Sequence, residues 1–259
     1  MRRSSILSLV VFLLASLKFI EAQNQTTSDQ HALALAAQSI SALVGGTNIS
    51  DATLTGNAIR IVGPDREMAT ATLIAKGLTQ SRVALEFSAG SRIDIRSNSD
   101  GFPAGRWSNP DGSSGKYAQH NCWTDASWFS PALSSLANFR NAGFVFSYVG
   151  KETWNGLSTL HLRVHQTLKS RDLSRLSTMD FYLDPATLLP LGLAFKTHAD
   201  KDMNTDLLQQ VLFADYRTVN GVQVPFHIQR LQNGGLLLDL TLTSASFNSG
   251  VPDTTFSLQ

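Results

Sequence analysis

Two histidines, His161 and His165, have a spacing that could bind a metal ion. On a helix, residues four apart share one face, so both imidazoles could bind the same ion. Here apolar and polar residues alternate from Leu160 to His165, which predicts a β-strand instead. On a strand the two histidines would lie about 13 Å apart, too far for one ion to bridge. We therefore predict no metal site.

The single cysteine, Cys122, follows His120 by two residues, a pair that suggests a nucleophilic thiol beside a general base. Residues two apart in a strand point the same way but lie too far apart to hydrogen-bond. Unpaired cysteines are also among the most often buried residues. We predict that Cys122 is buried and has no catalytic role, and that the protein has no internal disulfide.

The motifs of other enzyme classes are missing. A serine hydrolase needs Gly-x-Ser-x-Gly, and the nearest string, Gly112 to Gly115, lacks that spacing. No Walker loop, dinucleotide-binding glycine motif or His-Glu-x-x-His zinc motif is found. The 21 Lys and Arg nearly balance the 20 Asp and Glu, which argues against nucleic acid binding. The sequence predicts a protein that is not an enzyme and needs no cofactor.

Apolar and polar residues alternate through most of the chain, which predicts antiparallel strands with one buried face. On this pattern Ile93 and Ile95 would face the core. The residues that alternate with them would face water; these are Arg92, Asp94 and Arg96.

Turns and helices are predicted from local signals. Asn220-Gly221 lies between Val219 and Val222, and Asn233-Gly234 precedes the alternating leucines that begin at Leu236. Both pairs predict tight hairpin turns, because Asn and Gly tolerate positive φ. Residues 29–44 carry apolar positions at the spacing of one helical face and end at two glycines, which predicts a helix. A second helix is predicted over residues 125–139.

Residues 98–121 interrupt the strand pattern with glycines and prolines, and they predict a long loop. One interpretation is a mobile flap hinged at Gly101 and Gly115 over an open end of the sheet. The other is a small satellite core beneath the loop. The aromatic residues that would form either one are Trp107, Trp123, Trp128 and Phe129.

Residues 1–22 have the three parts of a secretory signal peptide: a basic start, the apolar run Ile6 to Leu17, and a cleavage site after Ala22. The apolar run is shorter than the roughly 20 apolar residues that span a bilayer, which favours a cleaved signal peptide. The alternative interpretation is an uncleaved N-terminal anchor. We expect an exported protein, periplasmic or secreted, and not itself a lipoprotein. Residues 23–259 are then long enough for one large β domain.

Three segments of the second half carry a recognisable pattern. Residues 181–191 read FYLDPATLLPL, residues 216–226 read YRTVNGVQVPF, and residues 247–256 read FNSGVPDTTF. They resemble the strand–turn–strand element, the next hairpin and the C-terminal end of lipoprotein-sorting proteins of the LolA/LolB type. The resemblance implies an α+β fold, an open antiparallel half-barrel of about eleven strands that wraps one or two helices around an apolar cavity. The cavity arginine of that family has no clear counterpart here.

The export signal, the aliphatic strand faces and the resemblance together predict a periplasmic carrier or binding protein for an apolar ligand. The expected ligand is the acyl chain of a lipid or a lipoprotein. Some of ten apolar residues would line the cavity, although the same faces could also be plain core. These residues are Leu160, Leu162, Val164, Phe181, Leu183, Leu193, Phe195, Leu238, Leu240 and Leu242. The alternative is an envelope protein-interaction or sensor module of the same fold, whose aromatic loop would dock a protein partner.

Overall fold

The computed structural model describes residues 27–99, 101–168 and 170–259, so the predicted signal peptide lies outside the described residues. None of the described helices is long and apolar enough to cross a membrane.

Thirteen strands in the described residues form one sheet, in the order β6-β5-β4-β3-β2-β1-β13-β12-β11-β10-β9-β8-β7. The strands are β1 (Asp51–Val62), β2 (Asp65–Lys76), β3 (Gln80–Phe87), β4 (Gly90–Ser99), β5 (Phe102–Ser108), β6 (Ser114–Lys116), β7 (Phe144–Trp154), β8 (Leu157–Gln166), β9 (Met179–Leu183), β10 (Pro190–Ala199), β11 (Asp202–Val219), β12 (Val222–Gln232) and β13 (Gly235–Phe247).

The sheet is antiparallel throughout and open, as the resemblance implies, but it has thirteen strands rather than about eleven. Strands β5 and β6 lie inside residues 98–121, so the prediction of a loop there is wrong. Two glycines of this segment are packing glycines, not loop glycines. A Cβ on Gly105 would lie 2.8 Å from the Tyr117 ring, and one on Gly115 would lie 2.8 Å from the Trp107 ring.

Both predicted Asn-Gly turns are confirmed. Asn220 and Gly221 have φ of 50° and 83°, and Asn233 and Gly234 have φ of 49° and 80°. These paired positive angles give the turn a twist that matches the right-handed twist of the flanking strands. The turns join β11 to β12 and β12 to β13.

The first predicted helix is confirmed as α1 (Gln30–Val44). The Asp29 carboxylate caps it by accepting a hydrogen bond of 2.8 Å from the His31 amide, and Gly45 ends it at a φ of 56°. A short helix that the sequence analysis missed, α2 (Arg171–Leu176), precedes β9.

The predicted helix over residues 125–139 is wrong. This segment contains two 3-10 turns, Pro131–Leu133 and Ser135–Asn138. Hydroxyl groups explain the difference, because Ser127 donates to the Leu133 carbonyl and Ser134 donates to the Pro131 carbonyl, each at 2.7 Å. Such side-chain bonds compete with the backbone bonds that an α-helix needs.

Residues directly opposite one another on paired strands lie on the same face of the sheet. The register therefore shows which residues lie on the concave side of the half-barrel and which lie on the convex side. On the concave side of β1 and β2 the pairs Ala52–Ala75 and Leu54–Leu73 are buried. The hydrophobic core lies on this side, between the sheet and a cover made of α1 and residues 123–139.

Candidate functional site

The concave face of the sheet over strands β8 to β13 is mostly apolar, with Arg230 and Gln209 as polar exceptions. All ten apolar residues predicted to line a cavity are buried there, each with 8% or less of its surface exposed. The register places them on one continuous surface, since Leu162 stands opposite Phe181, and Phe181 stands opposite Leu193. Their role as ligand contacts stays a prediction.

Part of the cover over this surface is the segment of residues 127–139, which we call the plug. Its buried side chains include Phe129 and Leu136, both with 0% exposure, and Trp128. In the described part of the chain, every hydrogen bond of the plug ends on a residue between 125 and 141. Apolar packing and the contact of Trp128 with Arg230 of β12 therefore hold the plug against the sheet, and no hydrogen bond between described residues joins the two.

The packing under the plug is close. A cavity of ≈ 10 Å³ remains beside Phe129, Pro131 and Val224. That volume is too small for more than one water molecule, so an acyl chain has no room there beside the plug. A chain bound against the apolar surface would have to take the place of side chains from the cover.

Asp125 fixes the start of the plug. Its buried carboxylate accepts a hydrogen bond of 2.8 Å from the Ser135 amide. Burial raises the pKa of Asp125 to about 7, although the bonds from Ser135 and the positive charge of Arg96 act in the opposite direction. Arg96 in turn holds the preceding residues by donating to the carbonyl oxygens of Cys122, at 2.6 Å, and Thr124, at 3.0 Å.

The concave face of β4 is charged, which reverses the prediction for this strand. Arg92 stands opposite Leu85, and Asp94 stands opposite Val83, so both share the side of buried core residues. Ile93 and Ile95 occupy the convex side and are half-buried. The predicted alternation of β4 is correct, but its polar residues face the interior and its isoleucines face outward.

Asp94 is the centre of a hydrogen-bonded network on this face. Arg92 donates to both of its carboxylate oxygens, from Nε and Nη2, at 3.0 Å each. Tyr117 donates its hydroxyl proton to Asp94, and Arg92 Nη1 donates to the Asn109 side chain at 2.5 Å. Burial and the Asp94 charge hold the pKa of Tyr117 well above its usual range. Tyr117 is therefore a neutral donor at physiological pH.

A third arginine, Arg230, stands on the concave face of β12 between Val211 and Leu238, its cross-strand neighbours. Its guanidinium lies over the Trp128 ring, 5.1 Å from the ring centroid, a favourable cation–π arrangement. Its Nη2 donates to the side-chain oxygen Oε1 of Gln209 at 3.3 Å. Burial lowers the pKa of Arg230, and the negative charge of Asp94 acts in the opposite direction.

An open cleft of ≈ 470 Å³ lies at the end of the half-barrel where the hairpins β1–β2, β3–β4 and β5–β6 turn. Its lining residues are Arg60, Glu67, Met68, Phe87, Ser88, Ala89, Asn109, Pro110 and Asp111. Arg60 stands opposite Leu238, and Leu238 stands opposite Arg230. The cleft and Arg230 are therefore joined by one row of the concave face.

Comparison with known proteins places this architecture. No family model matches the sequence, and no curated protein matches it. An outer membrane lipoprotein-sorting protein domain from Vibrio parahaemolyticus is 16% identical with a TM-score of 0.55, over 87% of this chain and 96% of that one. A LolA superfamily protein from Nitrosomonas europaea is 13% identical with a TM-score of 0.51, over 87% of this chain and 97% of that one.

The chain has the LolA-type fold. A DUF1329 family protein from Desulfovibrio piger shares the architecture too, at 11% identity and a TM-score of 0.57, over 90% of this chain and 98% of that one. These likenesses show the fold alone, since identities this low leave ligand and role open.

The four aromatic residues predicted for a flap belong to different segments of this LolA-type half-barrel. Trp107 is part of β5, packed against Gly115, with the Arg92 guanidinium 5.9 Å from its ring centroid. Trp128 and Phe129 belong to the plug, where their rings meet edge to face at 5.4 Å. Trp123 is half-buried just before the plug, and its carbonyl oxygen accepts from the Gln166 side chain at 3.1 Å.

The two histidines with metal-like spacing lie on β8, on the convex side of the half-barrel. His161 sits between Glu152 and Asp180, at 2.8 and 2.7 Å, and stacks on Tyr182. Burial opposes ionisation of Asp180, but the contacts with His161 and Arg163 outweigh it and lower the pKa. Among the described residues, no three His, Cys, Asp or Glu side chains are grouped to hold a metal ion.

Cys122 is free and buried, as the sequence predicts. Burial raises the pKa of its thiol, which makes it a poor nucleophile. His120 packs against His198, with 5.7 Å between the ring centroids, and no hydrogen bond between it and the thiol is present in the described chain. The pair does not form a catalytic arrangement.

Sequence reasoning missed Arg230, although a signal for it exists. Positions 222, 224, 226 and 228 of β12 are all apolar and buried, and Arg230 is the next position on the same side. A charged residue that continues an apolar alternating series is expected to point inward. That break in the series identifies an unusual group in the interior of the half-barrel.

Proposed function

We propose that this protein is exported to the periplasm and binds an apolar ligand there, the acyl chains of a lipid or lipoprotein, without catalysing a reaction. The observation that carries the proposal is the plug. A continuous apolar surface on the concave face is covered by a segment with no hydrogen bond to the sheet in the described chain. Acyl chains offer that surface the same kind of contact as the plug side chains do.

Ligand binding would exchange plug side chains for an acyl chain on the same apolar surface. Burial of apolar surface is non-directional and contributes about 0.8 kcal/mol per CH₂ group, so an acyl chain can replace side chains without loss of specific bonds. A segment fixed by hydrogen bonds to the sheet would lose those bonds on displacement. The plug keeps its internal hydrogen bonds when it moves as a unit.

Two further observations support the proposal. The lipoprotein-sorting domain from Vibrio parahaemolyticus shares the fold along nearly its whole length. The predicted signal peptide, residues 1–22, gives the route to the periplasm.

Titration with saturated fatty acids of increasing length tests the proposal. Trp128 lies in the plug over Arg230, so its fluorescence should change when a chain displaces the cover. Affinity should rise steadily with chain length, because each CH₂ adds a similar amount of buried surface. Replacing Trp128 with Phe should abolish the signal but not the binding measured by calorimetry. Absence of binding at every length would contradict the proposal.

The second candidate is a protein-interaction or sensor module, and the edge strand β7 favours it. This strand ends the sheet, and Val149 on β7 and Leu157 in the hairpin after it are 49% and 52% exposed. Exposed strand edges can pair with a partner strand. Native mass spectrometry of protein purified from its own host distinguishes the two. A carrier should retain lipid, whereas an interaction module should show the mass of the bare chain.

A further inference from the structure

Arg230 differs from Arg60 and Arg92 because it has no acidic partner among the described residues. Arg60 pairs with Glu67 at 2.9 Å, and Arg92 pairs with Asp94 at 3.0 Å. No carboxylate oxygen of a described residue lies within 4.0 Å of the Arg230 guanidinium. Its Nε is buried and has no hydrogen-bond partner among the described residues.

The surroundings of Arg230 supply a ring contact and one hydrogen bond, but no counter-charge among the described residues. Its cross-strand neighbours Val211 and Leu238 are apolar, and the Trp128 ring covers the guanidinium. Gln209 supplies one long contact of 3.3 Å, and the Gln209 amide nitrogen is already bonded to Gln232. The side chain as a whole is half-buried, but its Nε is buried without a polar partner among the described residues, and an unpaired buried donor opposes folding.

The nearest carboxylate network is already in use. Asp94 accepts two hydrogen bonds from Arg92 and one from Tyr117. Arg96 adds a further positive charge, which is bonded only to carbonyl oxygens. The charged side of the interior therefore contains three guanidinium groups, those of Arg92, Arg96 and Arg230. The acidic groups near them are Asp94, which already accepts three hydrogen bonds, and the buried Asp125.

We propose that the ligand carries an anionic group, a carboxylate or a phosphate, and that Arg230 binds it inside the half-barrel. This inference rests on the proposed function, since the acyl chain would lie on the apolar surface beside Arg230. The planar guanidinium offers two parallel N–H donors to such a group, and the free Nε is one of them. Displacement of Trp128 with the plug would uncover these donors.

The test compares ligands that differ only in the anionic group. Hexadecanoic acid is measured against hexadecanol and methyl hexadecanoate by calorimetry at about pH 8, where the acid is ionised. A second set compares dihexadecanoyl phosphatidic acid with dihexadecanoylglycerol. We expect the anionic member of at least one set to bind about tenfold more tightly or better, and the set that shows it identifies carboxylate or phosphate as the preferred group.

Variants assign the preference to Arg230. Arg230→Met keeps the contact with Trp128 and should reduce the preference to about onefold, while Arg230→Lys should keep part of it. Arg163→Gln is the matched control, because Arg163 lies on the convex side and pairs with Asp180. Arg230→Met should also raise the unfolding midpoint of the ligand-free protein, whereas an arginine that supports the fold would lower it.

The outcomes separate the two proposals. Equal binding of anionic and neutral ligands in both sets would overturn the inference and leave the carrier function intact. A preference that persists in Arg230→Met would also overturn it. Failure of every ligand to bind would overturn the proposed function itself.

Discussion

The interior of the half-barrel has two regions with opposite chemistry. Over β8 to β13 the concave face is mostly apolar, and the plug covers it through apolar packing and the contact of Trp128 with Arg230. On β4 it is charged, and Asp94 binds Arg92 and Tyr117 through directional hydrogen bonds. Apolar contacts can be exchanged for others of similar area, but a buried polar group needs its particular partner. We therefore expect the apolar region to be able to exchange its occupant and the polar region to stay fixed.

The largest expected effect tests the packing of the apolar region. Phe129→Ala should lower the free energy of unfolding by about 3–5 kcal/mol, because Phe129 is fully buried in the plug. The matched control in the polar region is Trp107→Ala, where a half-buried ring should cost about 1 kcal/mol. Urea denaturation measures both. Equal losses would mean that Trp107 is a core residue and that the two regions are packed alike.

The next effect tests the polar anchor of the plug, Asp125, whose pKa in the folded protein is raised to about 7. The folded state therefore binds a proton that the unfolded state releases, so this group's contribution to stability is greatest below about pH 4. That contribution falls as the pH rises to about 7 and is constant above. Between these two pH values the free energy of unfolding falls by up to about 4 kcal/mol through Asp125, at about 1.4 kcal/mol per unit of pKa difference between the folded and unfolded states.

Asp125→Asn isolates this effect, because asparagine can still accept the bond from the Ser135 amide without ionising. The variant should be more stable than the natural protein at about pH 8 and equally stable at about pH 4. Thermal unfolding across this range measures the difference. A difference that does not change with pH would show that Asp125 is not the titrating group.

The smallest effect tests the directional bonds of the polar region. Asp94→Asn should lower the free energy of unfolding by about 2 kcal/mol, because it leaves Arg92 without its charge partner. Tyr117→Phe, which removes only one donor, should cost about 1 kcal/mol. Denaturation by urea gives both values. If Tyr117→Phe costs more than Asp94→Asn, Asp94 is not the centre of the network.

Local signals predicted much of the fold. The helix α1 was predictable because Asp29 and Gly45 cap it and its apolar positions follow one face. The Asn-Gly turns were predictable because few residues accept positive φ at two successive positions. The helix predicted over residues 125–139 failed because serine hydroxyls bond the backbone locally, which apolar spacing does not reveal.

The candidate site was predicted only in part. The ten apolar residues were placed on strands that bury them, but the plug that covers them was not foreseen. The polar face of β4 was assigned to water, because an alternating strand shows that its faces differ and not which one points inward. In most sheets the apolar face is the inner one, and β4 is an exception because Asp94 pairs with Arg92 inside.

The sequence by itself determined the alternation of the strands, the hairpin turns and the helix α1, since each depends on residues close together in the chain. It also placed Arg230 on the same side of β12 as four buried apolar residues. Only the tertiary structure decided that Arg230 has Trp128 as its neighbour and no carboxylate within reach among the described residues. Those neighbours come from distant segments, and the curvature of thirteen strands brings them together.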